Sequence, residues 1–308
     1  MFKDKKLSIL GDSMSTYRGV SNDANANVTI RYNPFFYYDP FPLEKTYWMR
    51  LIKELGMTLC VNNSWASGNL SGIDNPDSGV NRAHNLANNA GEKPDYIIVF
   101  MGVNDLGRNV DCSIFSTDYA KTLMIIKEEY PEAKVFCINL PDRYEDFKQR
   151  TELFNQAISD AAVAAGDNFY IVDLFNSKLN NDFYYNNTVD GIHPDEDGAR
   201  IISELVLSAF NFLRNNQVAQ ILDPDNEEDI AMICSDKRIV DFEQIAIIPY
   251  KDKLYAIMRP KGYVDGVEEG EAVLFEIDEL KKTIVTINNP ELIETILNIY
   301  NNIINDEN

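Results

Sequence analysis

Only two histidines, two tryptophans and four cysteines occur in these 308 residues, and basic side chains are outnumbered 28 to 49 by acidic ones. Each shortage excludes something. A net charge of −21 repels nucleic acid and anionic membrane surfaces, so neither is an expected partner. No apolar run approaches the ~18 residues that cross a bilayer. The N-terminal lysines are followed only by Leu-Ser-Ile-Leu before Gly11, too short for the roughly 7–15 apolar residues of a secretory leader, so a cytoplasmic location is expected. Cys60, Cys112, Cys137 and Cys234 form no C-x-x-C pair, and buried free thiols are the expected state. No G-x-S-x-G occurs, which removes the nucleophile elbow of the α/β-hydrolases.

What is present is a change of texture along the chain. Over the first 215 residues short β-rich runs, at 7–10, 58–61, 96–101, 134–140 and 169–174, alternate with helix-period segments at 117–130, 144–165 and 196–214. That alternation predicts a parallel sheet wrapped by helices. In "EKTYWMRLIKELG" Trp48, Leu51, Ile52 and Leu55 share one helical face, and Gly56 supplies the left-handed stop. Residues 17–43 fit neither period and read as a long irregular stretch rich in aromatics. From residue 221 onward 20 acidic and 8 basic residues give −12 of the −21, and the pattern turns to strands separated by charged turns, with a helix over 290–304. Two domains are expected, 1–216 and 217–308.

In an open parallel sheet ligands bind beyond the carboxyl ends of the strands, so the polar residues placed there carry the information. "GDS" with Ser13 follows the first run, "NNSWASGNLSG" with Gly68 the second, and "GVND" with Asn104 the third. After the fifth comes "VDGIHPDEDG" with Asp190 and His193. A serine hydroxyl needs a base to become a nucleophile, and histidine serves near neutral pH. Asp190, three residues before His193, is placed to reach the far ring nitrogen through one turn. The Ser13 and Gly68 N–H groups and the Asn104 amide are candidate donors to an oxyanion.

These four blocks, in this order over residues 5–213, resemble the SGNH, or GDSL-type, hydrolases. The resemblance implies an α/β, three-layer flavodoxin-like fold. It implies Ser13, Asp190 and His193 as the triad, and Ser13, Gly68 and Asn104 as the oxyanion hole. The expected activity is serine esterase chemistry on small acyl esters, with O-acetyl groups on carbohydrates as the favoured class. No cofactor or metal enters that mechanism. A lipase or thioesterase acting on lipid acyl chains, and a binding module without turnover, are the competing readings.

Blander readings attach to the same residues: Ser13 as a helix cap, Asn104 and Asp105 as turn residues, His193 as a loop histidine, His84 as a surface side chain. The aromatics of "RYNPFFYYDPFP", with Tyr184 and Tyr185, suit either a flap over the site or ordinary packing. "DPDNEED" at 223–229 lacks the glycine and final glutamate of a calcium loop and reads as a solvated linker. The last ~85 residues resemble a small acidic bacterial domain of unknown function. They are expected to form a β-rich α+β accessory module, open to self-association or a protein partner, whose removal leaves activity in residues 1–216.

Overall fold

The computed structural model describes residues 2–16, 28–31, 41–142, 147–176, 186–214 and 217–306, with residues 28–31 and 305–306 described by backbone alone. The chain divides into two compact units. The first is Met1–Ala209 together with Ser235–Arg238, and the second is Phe210–Cys234 with Ile239–Asn308.

In the first unit six strands pair in parallel: β1 (Lys6–Gly11), β2 (Val28–Arg31), β3 (Thr58–Trp65), β4 (Tyr96–Phe100), β5 (Lys134–Ile138) and β6 (Phe169–Val172). Their spatial order is β2-β3-β1-β4-β5-β6. Leaving out the edge strand β2, the order is the flavodoxin one, and the chain reverses direction across the sheet at β1. Strand β4, and β5 after Lys134, are continuous apolar runs because both faces of a parallel sheet are covered; all five residues of β4 are buried. Strand β2 corrects the reading of residues 17–43 as wholly irregular. Of the aromatics in that stretch Phe41 is described; Tyr17, Tyr32, Phe35, Phe36, Tyr37 and Tyr38, with Tyr184 and Tyr185, lie outside the described residues.

Helices α1 (Tyr47–Leu55), α2 (Gly79–Arg82), α3 (Val103–Gly107), α4 (Cys112–Glu129), α5 (Lys148–Ala165) and α6 (Glu196–Arg214) connect the strands. Thr46 caps α1 with its hydroxyl on Met49 N, Trp48 and Leu51 are buried, and Gly56 ends the helix at φ 66°. Helix α4 begins five residues before the periodic pattern does, because Asp111 accepts from Ser113 N and opens the helix at Cys112. Helices α4 and α5 lie against each other, with Phe115 stacked on Phe154 at 4.3 Å. Cys60 and Cys137 are buried, whereas Cys112 and Cys234 are only partly covered, so the expectation of four buried thiols holds for two.

The second unit is an antiparallel sheet of β7 (Ile230–Ile233), β8 (Arg238–Tyr250), β9 (Lys253–Pro260), β10 (Val273–Asp278) and β11 (Thr283–Thr286), accompanied by α7 (Gln217–Leu222) and α8 (Pro290–Asp306). The period-two alternation of "LYAIM" sorts its side chains. Ala256 and Met258 pack with Val218 and Ile221 of α7, while Tyr255 and Ile257 pack with Ile296 of α8. Among the described residues no helix is long and apolar enough to cross a membrane.

Candidate active site

Strand β1 ends at Gly11, where a Cβ would stand 2.5 Å from Ser64 Oγ, so only glycine allows the neighbouring strand so close. The chain then folds into a 3-10 turn over Ser13–Ser15. Asp12, rather than Ser13, is its cap: Oδ1 accepts from Met14 N at 2.9 Å. Ser13 is thereby left with its hydroxyl facing the loop between β6 and α6. His193 Nε2 lies 2.9 Å from Ser13 Oγ, and His193 Nδ1 lies 2.8 Å from Asp190 Oδ2.

The loop is built locally. Asp190 Oδ1 accepts from the main-chain N–H groups of Ile192 at 3.0 Å and His193 at 2.8 Å, Gly191 N donates to Thr188 Oγ1, and Val189 N donates to His193 O. The Asp190 carboxyl is held below its ordinary range. Burial opposes the charge, but the bonds from the His193 main chain and ring outweigh it. An ionised Asp190 fixes the proton on Nδ1, which donates to it, and leaves the Nε2 lone pair to accept from the serine hydroxyl.

Gly68 and Asn104 arrive from β3 and β4. A Cβ on Gly68 would lie 2.9 Å from Trp65 O, the acceptor of Gly68 N–H at 3.0 Å, so the turn closes only around glycine. Ser67, just before it, sits at φ 60°, and Arg108 Nη1 donates to Ser67 O at 2.8 Å and also to Asn69 Oδ1. Asn104 Nδ2 donates to Gly68 O at 3.1 Å and to Asp12 Oδ2 at 3.3 Å. Ser13, Gly68, Asn104, Asp190 and His193 are thus joined by one chain of contacts through Asp12. His84 is apart from them, paired on the surface with Glu129.

Three supporting residues escaped the sequence reading. Asp105, fully buried, accepts from Leu70 N at 2.7 Å, Ser71 N at 2.9 Å and Ser71 Oγ, and so holds the Gly68 loop. Asp118 takes the next N–H of that loop, Gly72, at 2.8 Å. Arg82, 3% exposed, donates to Gly11 O at 3.1 Å, to Asp77 O at 3.0 Å and to Asn63 O, with its guanidinium over the Trp65 ring. In sequence Asp105 looks like an ordinary turn residue and Arg82 like part of a polar surface helix.

Asp12 is the electrostatically costly member. Burial pushes its carboxyl up to about 7; Asp105 adds to the rise, while the Met14 N–H, Arg82 and Asn104 oppose it. In the unfolded chain the same group ionises near 3.8. Between those values the folded state binds the extra proton, so this contribution to stability is full below 3.8 and is lost as pH rises to about 7. The full swing is on the order of 4 kcal/mol. Urea midpoints of wild type and Asp12→Asn between pH 4 and 7.5 should diverge, with the wild type losing stability relative to the variant as pH rises. A flat difference would refute this account of Asp12.

A family model, the GDSL-like Lipase/Acylhydrolase family, matches residues 9–201. Among solved structures, a GDSL-like protein of Bacteroides ovatus is 22% identical, with a TM-score of 0.52 over 68% of this chain and 99% of that one. A Lactobacillus plantarum protein is 19% identical, with a TM-score of 0.52 over 68% and 98%. An active-site mutant of a family two carbohydrate esterase from Clostridium thermocellum is 16% identical, with a TM-score of 0.51 over 70% and 65%. At these identities the likeness is one of fold. No curated protein matches the chain. The family match takes in the β1 turn, the Gly68 loop, the β4 end and the histidine loop, and the chain belongs to the GDSL-like lipase/acylhydrolase family.

Proposed function

We propose that this acyl hydrolase is a serine esterase that removes small acyl groups, with O-acetyl groups on carbohydrates as the favoured substrates. The observation that carries the reading is the unbroken relay from Ser13 Oγ to His193 Nε2 and from His193 Nδ1 to Asp190. Ser13 attacks the ester carbonyl carbon as its proton passes to His193 Nε2. The tetrahedral intermediate collapses by breaking the bond to the leaving oxygen, which takes that proton. Water, deprotonated by His193, then releases the acid from the acyl-serine and returns the hydroxyl to Ser13.

The developing oxyanion is met by the Ser13 and Gly68 N–H groups and Asn104 Nδ2. Gly68 N–H and Asn104 Nδ2 already have acceptors within the protein, so they are held in place before substrate arrives and share or exchange a bond as charge develops. The carbohydrate preference draws on the esterase of similar fold and on the aromatic, polar stretch at 31–42.

Initial rates on a chromogenic ester series from acetyl to octanoyl test the substrate class. The expected order has acetyl turned over fastest in kcat/KM. Each buried methylene is worth ~0.8 kcal/mol to an enzyme built for lipid chains, so a steady rise towards octanoyl would reverse the assignment in favour of a lipase or thioesterase. Failure of a serine-directed phosphonate to label Ser13 would favour a binding module.

A further inference from the structure

Arg108 bonds to the same peptide that supplies an oxyanion donor. Ser67 O and Gly68 N–H belong to one planar unit, the carbonyl on one side and the N–H on the other. Arg108 Nη1 donates to that carbonyl at 2.8 Å, which puts the guanidinium nitrogen no more than about 5 Å from Gly68 N. Ser67 holds φ 60°, a left-handed conformation that a serine keeps only where its surroundings impose it, and the bond to Ser67 O is one such constraint. The same nitrogen donates to Asn69 Oδ1, so one cation bridges the residues on either side of Gly68.

Helix α3 places the arginine. Arg108 N donates to Asn104 O at 2.9 Å, so Asn104 and Arg108 lie one helical turn apart on the same face. Both reach the loop, Asn104 through Gly68 O at 3.1 Å and Arg108 through Ser67 O. Gly68 is thereby held through the carbonyls of both its peptide units. Arg200 and Arg259, also exposed, face the carboxylates of Glu204 and Glu243, whereas these two acceptors of Arg108 are neutral. A positive charge bonded to a carbonyl oxygen draws electron density along the peptide and makes its N–H a stronger donor.

We propose that Arg108 is a positioning residue for the oxyanion hole. It fixes and polarises the Ser67–Gly68 peptide, so that the Gly68 N–H meets developing negative charge more strongly than it would in an uncharged loop. The gain falls on the transition state, because the carbonyl oxygen of the bound ester carries little of that charge. The inference rests on the esterase reading above.

The test uses the full chain as wild type, Ser13→Ala, Arg108→Met, Arg108→Gln and Arg108→Lys. Met and Gln remove the charge, while Lys keeps it on a single ammonium. Thermal unfolding, kcat and KM on an acetyl ester, and inhibition by a small trifluoromethyl ketone are measured together. Ser13 Oγ adds to the carbonyl carbon of that ketone, its proton passes to His193 Nε2, and the ketone oxygen is left as a bound oxyanion. The corresponding methyl ketone without fluorine reports ground-state binding.

In the uncharged variants kcat should fall about tenfold to thirtyfold, short of the roughly 10²–10³ that loss of a whole donor costs, with KM within about twofold of wild type. The inhibition constant of the trifluoromethyl ketone should rise by the same factor, while methyl ketone binding stays unchanged. Arg108→Lys should fall between wild type and the uncharged variants. Since the side chain is exposed, all three should unfold close to wild type, and a purely structural role would not make kcat follow the affinity of the oxyanion adduct. Three results would each overturn the inference alone: folded uncharged variants with kcat within twofold of wild type, a lowered kcat with the trifluoromethyl ketone bound as before, or Arg108→Lys no faster than Arg108→Met. Loss of folding in both uncharged variants would do the same by making the arginine a structural residue. Equal rates in wild type and Ser13→Ala would overturn the esterase reading, and this inference with it.

Discussion

Ser13→Ala is expected to lower kcat on acetyl esters by about four to six orders of magnitude, leaving the small turnover that binding and oxyanion donors supply without a nucleophile. The size follows from the relay acting as one device. His193 is useful only with a hydroxyl 2.9 Å from Nε2, and Asp190 matters only through the ring nitrogen it holds at 2.8 Å. His193→Ala should therefore cost about as much as Ser13→Ala, and the double variant little more. Asp190→Asn should cost roughly 10⁴, since an amide can donate to Nδ1 and so selects the tautomer with its proton on the wrong nitrogen. Steady-state rates and the mass of the phosphonate-labelled protein check all four proteins. Retention of more than a few per cent of wild-type kcat by Ser13→Ala would remove Ser13 from the reaction.

The second large effect is expected at Asp105, which touches no reacting atom in this account. Its carboxylate is wholly buried and collects two main-chain N–H groups and one hydroxyl from Leu70 and Ser71. Burial raises its pKa, and those three donors oppose the rise. Asp105→Ala leaves these donors buried without an acceptor, at about 1–3 kcal/mol for each that finds no water, so a loss of about 3–5 kcal/mol in urea unfolding is expected. The loop they belong to begins at Gly68, so kcat should fall about a hundredfold where the protein remains folded. Asp105→Asn keeps one acceptor oxygen and should lose markedly less on both measures. An alanine variant within 1 kcal/mol of wild type, with normal kcat, would show that the loop needs no such support.

Strands and blocks were the legible parts, for reasons visible in particular residues. The apolar run of β4 is unbroken because both its faces are covered, and a polar block placed directly after such a run can only lie at the carboxyl edge of the sheet. Strand β2 was not legible. Four residues, "VTIR", are too few for an alternation to stand out, and what makes them a strand is pairing with β3 at the sheet edge. Helix α4 lost its first turn in the reading because its start depends on the Asp111 cap, which the apolar period does not register.

By itself the sequence determined the class of fold and the order of the four blocks, and it brought forward Ser13, Gly68, Asn104, Asp190 and His193 as candidates, because strand period and strand-end chemistry are local properties. Tertiary structure alone decided which polar residues support them. Asp12, Arg82 and Asp105 are ordinary polar side chains in their own neighbourhoods. They become buried partners only when β1, β3 and β4 bring distant loops together and leave main-chain groups that water cannot reach. The Arg238–Asp173 pair depends on tertiary structure in the same way: 65 residues separate the partners, and no periodicity relates a charged turn to a strand end that far back along the chain. Folding brings the two opposite charges to 3.0 Å, with little of either side chain left to solvent.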